Sequence, residues 1–165
     1  MIIEKQSRSS MNLNELEAYL TGYWPTDLSN FSAYIFHHLP DLNWVGFYLN
    51  DGQKLRLGPF HGKPACMEIP FHRGVCGKSF TEKEILLVDD VHEFPGHIAC
   101  DSASRSEMVF PFYIDGQLAG VLDIDSPTLA RFTNQDKEQV KAALQILSTK
   151  LENSKERSLK MPHEL

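Results

Sequence analysis

The sequence predicts an α+β domain in which antiparallel strands lie between helices at the two ends of the chain. Three observations support this fold class. Apolar residues recur with helical spacing near both ends, β-branched and aromatic residues alternate in the middle, and turn signals join neighbouring strands as hairpins. The length of 165 residues suits one domain, so we expect residues 1–165 to fold together, with frayed segments at 1–11 and 154–165.

Two helices are predicted before the first strand. Asn12 is suited to cap a short helix, and a second helix is expected to begin near Asp27 or Ser29 and to end before Pro40. The apolar faces of the two helices comprise Leu13, Leu16, Tyr19 and Leu20, and then Phe31, Tyr34, Ile35 and Leu39. Both faces are typical of core contacts.

Short elements follow in the central part of the chain. Residues 42–49 predict a strand, the turn signal at 50–52 follows it, and residues 54–57 predict the returning strand. A further strand is predicted at 65–69, where Pro70 ends it. A turn at 74–77 is expected to lead into a short helix through Phe80, and the apolar run 85–88 predicts another strand.

The last part contains the clearest hairpin and the final helix. Residues 108–114 and 117–124 flank the turn signal Asp115-Gly116. Thr133 and Asp136 resemble a capping box, with Asp in place of the usual Glu or Gln. The helix that follows has an apolar face formed by Val140, Ala143, Leu144, Leu147 and Leu151. Terminal helices can cover one face of the sheet, so we expect the stretch 59–105 to cover the other face and to form a pocket there.

Composition argues against several classes of protein. The net charge is −6 with only 16 Lys and Arg residues, which disfavours nucleic-acid binding because phosphate contacts need clustered cations. No apolar run approaches the roughly 18 residues of a membrane span, and the polar N-terminus lacks the apolar region of a signal peptide. The three cysteines form no C-x-x-C pair and no disulfide framework. We therefore expect a cytoplasmic protein without a nucleic-acid or membrane partner.

Two acids near the end of the hairpin stand out. The period of a strand places Asp123 and Asp125 on one face, with Leu122 and Ile124 on the other. Neighbouring acids on one face repel each other and resist burial. They indicate either a solvated strand end or a cation site for a metal or an ammonium group, and the local pattern leaves both open.

Glu107 lies on the partner strand of the same hairpin. In an ideal register Ile114 faces Gln117, and Glu107 then points away from the two aspartates. One bulged residue would bring all three acids to the same face, and Pro111 is a natural site for such an irregularity because it has no N–H. We predict that Glu107, Asp123 and Asp125 converge on one pocket.

The cysteines lie in the pocket-forming stretch. Cys100 has His97 and Asp101 nearby: the adjacent Asp101 would oppose ionisation of the thiol, whereas a protonated His97 would favour the thiolate. Cys66 lies close to the cation Lys63. Cys76 follows Arg73 near an expected helix start, and both features would lower a thiol pKa from its ordinary value of about 8.5. Each cysteine is either a small buried apolar residue or a reactive thiol, and three of them in one stretch favour redox chemistry.

The histidines do not have the spacing of metal ligands. His37 and His38 lie on different faces of a helix, and no H-E-x-x-H motif is present. The central histidines are irregularly spaced at His61, His72, His92 and His97. We expect no metal and no cofactor.

Seven segments, in order, closely resemble one known family. They are residues 43–48, 57–66, 73–77, 90–92, 96–101, 106–107 and 120–126, and they include all three cysteines. In these segments the chain resembles the free methionine-(R)-sulfoxide reductases, which are built on a single GAF domain. The resemblance implies a six-stranded antiparallel sheet flanked by helices, with an enclosed pocket on one face.

The resemblance also implies an activity and a set of site residues. The expected reaction is reduction of free methionine-(R)-sulfoxide, with electrons delivered by thioredoxin. By position, Cys100 is similar to the family's nucleophile, Cys66 to its main resolving thiol, and Cys76 to a third redox partner whose role is open. The implied substrate-binding residues are Glu107, Asp123, Asp125, Trp44 and Tyr48.

The chemistry of these residue types agrees with the implied reaction. A carboxylic acid with a raised pKa can protonate the sulfoxide oxygen, for which we favour Glu107 and Asp125, while Asp123 holds the substrate ammonium. Thiolate attack then leaves a sulfenic acid that a second thiol converts to a disulfide. Two rival functions remain: a GAF sensor of small molecules without catalysis, and a thiol-based redox sensor. The sequence leaves the oligomeric state open, with a homodimer among the options.

Overall fold

Six antiparallel strands form the central sheet of the computed structural model, which describes residues 11–98 and 100–154. The strands are β1 (Trp44–Asn50), β2 (Lys54–Gly62), β3 (Glu68–Pro70), β4 (Leu86–Val88), β5 (Ser106–Ile114) and β6 (Gln117–Ser126). Their order across the sheet is β3-β2-β1-β6-β5-β4. The predicted fold class, α+β with a six-stranded antiparallel sheet, is confirmed.

Helices and irregular segments cover the two faces of the sheet. The helices are α1 (Leu13–Ala18), α2 (Trp24–His38), α3 (Gly74–Glu82) and α4 (Asn134–Glu152), and a short 3₁₀ turn spans Val91–Glu93. The terminal helices α1, α2 and α4 lie on one face, whereas α3 packs against β5 and β6 from the other. The expected division between terminal helices and the middle stretch is therefore present.

Alternation along the strands divides the core into two clusters. On β1, Val45 and Phe47 pack towards the terminal helices, whereas Trp44 and Tyr48 pack towards α3. Gly46 lies between the two aromatic residues, where a Cβ atom would overlap Phe60 on β2. This arrangement leaves the α3 side of the sheet lined by aromatic rings.

Two predicted helix caps are present and one predicted helix start is wrong. The side chain of Asn12 accepts hydrogen bonds from the first turn of α1, and Thr133 and Asp136 form a complete capping box at α4. Helix α2 begins at Trp24, because Pro25 suits the first helical turn. The buried Asp27 instead accepts hydrogen bonds from the backbone of the loop before the helix.

Three strand and helix boundaries also differ from the predictions. Strand β2 continues to Gly62, because a register irregularity opposite Phe47 accommodates Pro59. Strand β3 begins at Glu68, since the carbonyls of Lys63 and Cys66 in the segment before it accept hydrogen bonds from the side chains of Trp44 and Tyr48. Helix α3 begins at Gly74 and includes Gly77, where a Cβ atom would crowd the backbone of the preceding loop.

The β5–β6 hairpin contains the expected bulge, but at a different place. Ile114 pairs with Gln117 as predicted, and the register then shifts between Tyr113 and Phe112, leaving Ala119 as the extra residue. A Cβ atom at Gly120 would overlap the carbonyl oxygen of Tyr48, so β6 lies close to β1 beside the bulge. Pro111 lies in regular register, and its predicted role as the bulge site is wrong.

The expected frayed ends, 1–11 and 154–165, fall mostly outside the described residues. Met11 is buried, and the N–H of Ser154 donates to the carbonyl of Leu151, so neither of these two residues is frayed. Within residues 11–98 and 100–154, no helix has the length and apolar character needed to cross a membrane.

Candidate active site

A pocket lies between the sheet and the segments that cover its α3 face. Seven of the eight predicted site residues line it, namely Trp44, Tyr48, Cys76, Cys100, Glu107, Asp123 and Asp125. The eighth, Cys66, is joined to Cys100 by a disulfide bond. Residues from β1, β5, β6, α3 and two loops thus meet at one place.

The three predicted acids converge in this pocket. The bulge places Glu107 directly opposite Asp125 in the β5–β6 register, so the two side chains share a face with Asp123. Glu107 and Asp123 are each only 6% exposed, and Asp125 is partly exposed. The Cys76 thiol approaches Glu107 Oε1 at 3.8 Å. The expected shared pocket is therefore present, and the burial of Asp123 argues against a solvated strand end.

Burial and mutual repulsion raise the pKa values of these three acids. Burial, followed by the charge of Asp125, raises the pKa of Glu107 to about 8. Burial and the Glu107 carboxyl raise the pKa of Asp123 well above its ordinary value. Burial and the Asp123 carboxyl do the same for the pKa of Asp125. The pocket therefore holds carboxylic acids that can donate protons.

The raised pKa values predict that the oxidised protein loses stability as the pH rises. Between the ordinary Glu pKa of 4.5 and the folded value of about 8, the unfolded chain releases a proton that folded Glu107 retains. The free energy of unfolding should therefore fall in this window by up to about 1.4 kcal/mol per pH unit.

Urea denaturation at several pH values tests this expectation. Glu107→Gln should reduce the fall in unfolding free energy, because the amide does not titrate. Glu82→Gln, at an exposed position of α3, is the control and should keep the wild-type slope. Equal slopes for wild type and Glu107→Gln would contradict the assignment.

The two predicted aromatic residues line the pocket and also donate hydrogen bonds to the segment that carries Cys66. Trp44 and Tyr48 stack with ring centroids 5.8 Å apart. The indole N–H of Trp44 donates to the Lys63 carbonyl at 3.1 Å, and the Tyr48 hydroxyl donates to the Cys66 carbonyl at 3.0 Å. Burial and the charge of Asp123 raise the pKa of Tyr48, so its hydroxyl remains a donor. Strand β1 therefore holds the segment that carries Cys66.

The disulfide joins the two covering segments across the pocket. Cys66 and Cys100 are 34 positions apart in the chain, and their Cα atoms are 5.2 Å apart. Both residues are partly exposed. A bond between these two segments places Cys100 at the pocket and Cys66 at its edge.

Cys76 differs from its expected state. It lies at the start of α3 as predicted, but it is buried and not part of the disulfide. Burial, followed by the charges of Asp123 and Glu107, raises the pKa of its thiol well above the ordinary value. The expectation that Arg73 and the helix start lower this pKa is wrong, because desolvation and two nearby acids outweigh them.

His97 lines the pocket but does not provide a cation at neutral pH. Burial and the neighbouring His92 lower its pKa below the ordinary 6.5. At neutral pH, His97 therefore does not stabilise the Cys100 thiolate by its charge, contrary to the expectation. Positive polarity comes instead from Arg73 and the first backbone N–H groups of α3, at Gly74 and Val75, which line the same pocket.

One group of side chains in the described residues has the geometry to hold a metal ion. Three ligand atoms lie within 4.8 Å of one another, one each from Cys76, Glu107 and Asp123, and all three residues are buried. Burial raises the pKa values of the same three groups. The expected absence of a metal stays a prediction.

Sequence reasoning missed Asn43 and Ser104. The amide of Asn43 donates to Asp101 Oδ2 and to Ser104 Oγ, each at 3.0 Å. Ser104 lines the pocket, and Asp101 follows the cysteine of the disulfide. Asn43 lies within one of the seven resembling segments, but an Asn before a strand has no chemical signature of its own.

Comparison with known proteins agrees with this geometry. The GAF domain family matches residues 29–151. The free methionine-R-sulfoxide reductase of Escherichia coli strain K12 is 48% identical over 127 residues, which cover 77% of this chain and 76% of the relative. The yeast Saccharomyces cerevisiae protein of the same name is 42% identical over 149 residues, covering 78% and 83%.

A solved structure extends the comparison to three dimensions. The X-ray structure of free methionine-R-sulfoxide reductase from Neisseria meningitidis, in complex with its substrate, has a TM-score of 0.80 and 40% identity. The match covers 85% of this chain and 86% of that one. Fold, identity and coverage agree, so the chain belongs to the free methionine-R-sulfoxide reductases, a GAF-domain family of oxidoreductases.

Proposed function

We propose that this enzyme reduces free methionine-(R)-sulfoxide to methionine through Cys100. The observation that carries the proposal is the convergence of three protonatable acids and the Cys66–Cys100 pair on one pocket. The relatives named for this reaction support it.

The polar groups of the pocket suit both charges of a free amino acid. A substrate ammonium is attracted by Asp123, whose Oδ1 is buried without a hydrogen-bond partner among the described residues. A substrate carboxylate suits Arg73 and the free N–H groups at the start of α3. A peptide-bound methionine has neither charge, so the free amino acid is the favoured substrate.

The chemical step requires an acid and a thiolate. Glu107 and Asp125 donate a proton to the sulfoxide oxygen, which makes the sulfoxide sulfur electrophilic. The Cys100 thiolate attacks that sulfur and forms a transient bond between the two sulfur atoms. The protonated oxygen then passes to the Cys100 sulfur, the bonds from the methionine sulfur to oxygen and to Cys100 break, and methionine leaves. Cys100 retains the oxygen as a sulfenic acid, so the sulfur of methionine is reduced by two electrons and the sulfur of Cys100 is oxidised by two.

Two thiol reactions complete the cycle. The Cys66 thiol attacks the sulfenic acid, water leaves, and the disulfide forms. A dithiol protein of the thioredoxin type then returns two electrons and two protons, and it can reach this bond because Cys66 and Cys100 are partly exposed and Met67 beside them is 78% exposed. A reversible disulfide next to the reduced Cys76 fits the cytoplasmic location that we also propose.

The rival role as a sensor of small molecules is less well supported. Three acids in the pocket repel phosphate-bearing ligands such as cyclic nucleotides. NADPH consumption with thioredoxin and its reductase separates the alternatives, because a sensor consumes no NADPH when free methionine sulfoxide is added.

Substrate discrimination tests the proposed function directly. We expect turnover of free methionine-(R)-sulfoxide, with little activity on the S epimer or on N-acetylmethionine sulfoxide. Acetylation removes the ammonium charge that Asp123 is proposed to bind, and the S epimer turns the oxygen away from the acids. Epimer preference is read from chromatographic separation of the R and S sulfoxides that remain. Equal turnover of the acetylated and free compounds would contradict the proposal.

A further inference from the structure

Asn43 connects the sheet to the loop that carries Cys100. It comes directly before β1, and its backbone N–H donates to the carbonyl of Asp125 at 3.0 Å. Its side-chain amide donates to Asp101 Oδ2 and Ser104 Oγ, both at 3.0 Å. One residue thus contacts the backbone of an acid of the pocket and the neighbour of the nucleophile.

The loop has internal hydrogen bonds of its own. Asp101 Oδ1 accepts from the N–H of Ala103 at 2.9 Å, and the N–H of Ser104 donates to the Asp101 carbonyl at 3.2 Å. Among the side-chain hydrogen bonds of residues 11–98 and 100–154, those from Asn43 are the ones that tie residues 100–104 to the sheet. Besides the Cys66–Cys100 disulfide and the backbone hydrogen bond from Arg105 to Ser126, the side chain of Asn43 therefore ties this loop to the sheet.

The chemistry of the Asn side chain fits this arrangement. Its amide nitrogen has two hydrogens, and the two acceptors use both. Its Oδ1 atom is buried without a partner among the described residues, which costs stability. A residue selected only for the stability of the strand would not leave that acceptor unpaired while aiming both donors at the loop.

We propose that Asn43 is a positioning residue of the reaction, which holds Cys100 at the place over the acids where attack on the sulfoxide occurs. This inference rests on the proposed function. Asn43 does not line the pocket and acts through Asp101. After burial and Asp123, the Asp101 carboxylate also contributes to the raised pKa of Asp125, and Asn43 donates a hydrogen bond to that carboxylate.

Single-turnover kinetics on the reduced protein test the proposal. Asn43→Ala should slow methionine formation by roughly 10–100-fold and change KM by less than about threefold, because the nucleophile is misplaced while the substrate contacts remain. Asn43→Asp should slow it further, since two carboxylates then face each other. The swap Asn43→Asp with Asp101→Asn restores a donor and an acceptor and should recover most of the lost rate.

Asn50→Ala is the matched control. Asn50 ends the same strand, and its side chain donates to the carbonyl of Leu118 at 3.2 Å, far from the loop in the register. This variant should lose thermal stability comparably but keep the wild-type rate. An Asn43→Ala enzyme as fast as Asn50→Ala, a loss confined to KM, or a swap without recovery would each overturn the proposal.

A second measurement does not depend on the reaction. The equilibrium between the Cys66–Cys100 disulfide and dithiothreitol should shift about tenfold towards the reduced form in Asn43→Ala but not in Asn50→Ala, because a released loop lowers the effective concentration of Cys100 at Cys66. If the wild type does not reduce the sulfoxide but this shift occurs, the proposed function is wrong and the loop is still positioned by Asn43. An unchanged equilibrium in Asn43→Ala contradicts the positioning role.

Discussion

Cys100→Ser is expected to abolish reduction of free methionine-(R)-sulfoxide, even within a single turnover. The two electrons for the substrate come from the sulfur of Cys100, and a serine oxygen cannot be oxidised to an equivalent of a sulfenic acid. The remaining thiol in the pocket cannot replace it, because Cys76 is buried and its pKa is raised. The measurement is methionine released per enzyme from protein that has been reduced and freed of reductant.

Cys66→Ser gives the contrasting result. Its Cys100 thiol is intact, so it should release about one methionine per enzyme and then stop, because the sulfenic acid is not converted to the disulfide that thioredoxin recycles. Cys76→Ser should recycle, since Cys66 forms the disulfide with Cys100. If Cys66→Ser keeps the full steady-state rate, Cys76 is the main resolving thiol. Methionine release by Cys100→Ser would refute the assignment of the nucleophile.

Glu107→Gln is expected to slow the chemical step by roughly 10²–10⁴-fold. The amide keeps the size of the side chain but removes the acidic proton that the pKa of about 8 retains at neutral pH. Asp125→Asn, the partner of Glu107 in the strand register, should have an effect of similar size. Wild-type single-turnover rates should fall as the pH rises through about 8, where Glu107 loses its proton, and the Gln variant should lack this decline.

Two further variants separate proton transfer from substrate binding. Asp123→Asn should mainly raise KM, because it removes the charge proposed to bind the ammonium. Glu82→Gln, at an exposed position of α3, should leave both constants unchanged. A Glu107→Gln enzyme with wild-type single-turnover rate would show that Glu107 does not supply the proton, whatever its position in the pocket.

Local sequence patterns predicted most of the fold, and the errors concern the boundaries of single helices and strands and the position of one bulge. The alternation at residues 122–126 correctly separates Asp123 and Asp125 from the apolar face of β6. The cap at Asn12 and the capping box at Thr133 follow from side chains that bond within one helical turn. The predicted start of α2 is wrong because Asp27 does not cap the helix. Its carboxylate accepts hydrogen bonds from the loop before the helix, and the sequence pattern does not distinguish this role from capping.

The candidate site was only partly accessible from the sequence. The need for a bulge could be deduced from the cost of same-face acids, but its position at Ala119, next to the close contact of Gly120 with β1, could not. The neighbours of Cys76 in the chain suggested a lowered pKa. Burial, followed by the charges of its neighbours in space, Asp123 and Glu107, raises this pKa instead.

By itself, the sequence determined the class of fold, the set of reactive side chains and the family, because each depends on residue types and on spacing within short segments. The tertiary structure alone decided which of these groups meet. Cys66 reaches Cys100 across 34 positions of chain, and Asn43 reaches Asp101 across 58. Such contacts arise from the packing of the covering segments on a sheet whose register is irregular, and local periodicity carries no information about distances between separate segments.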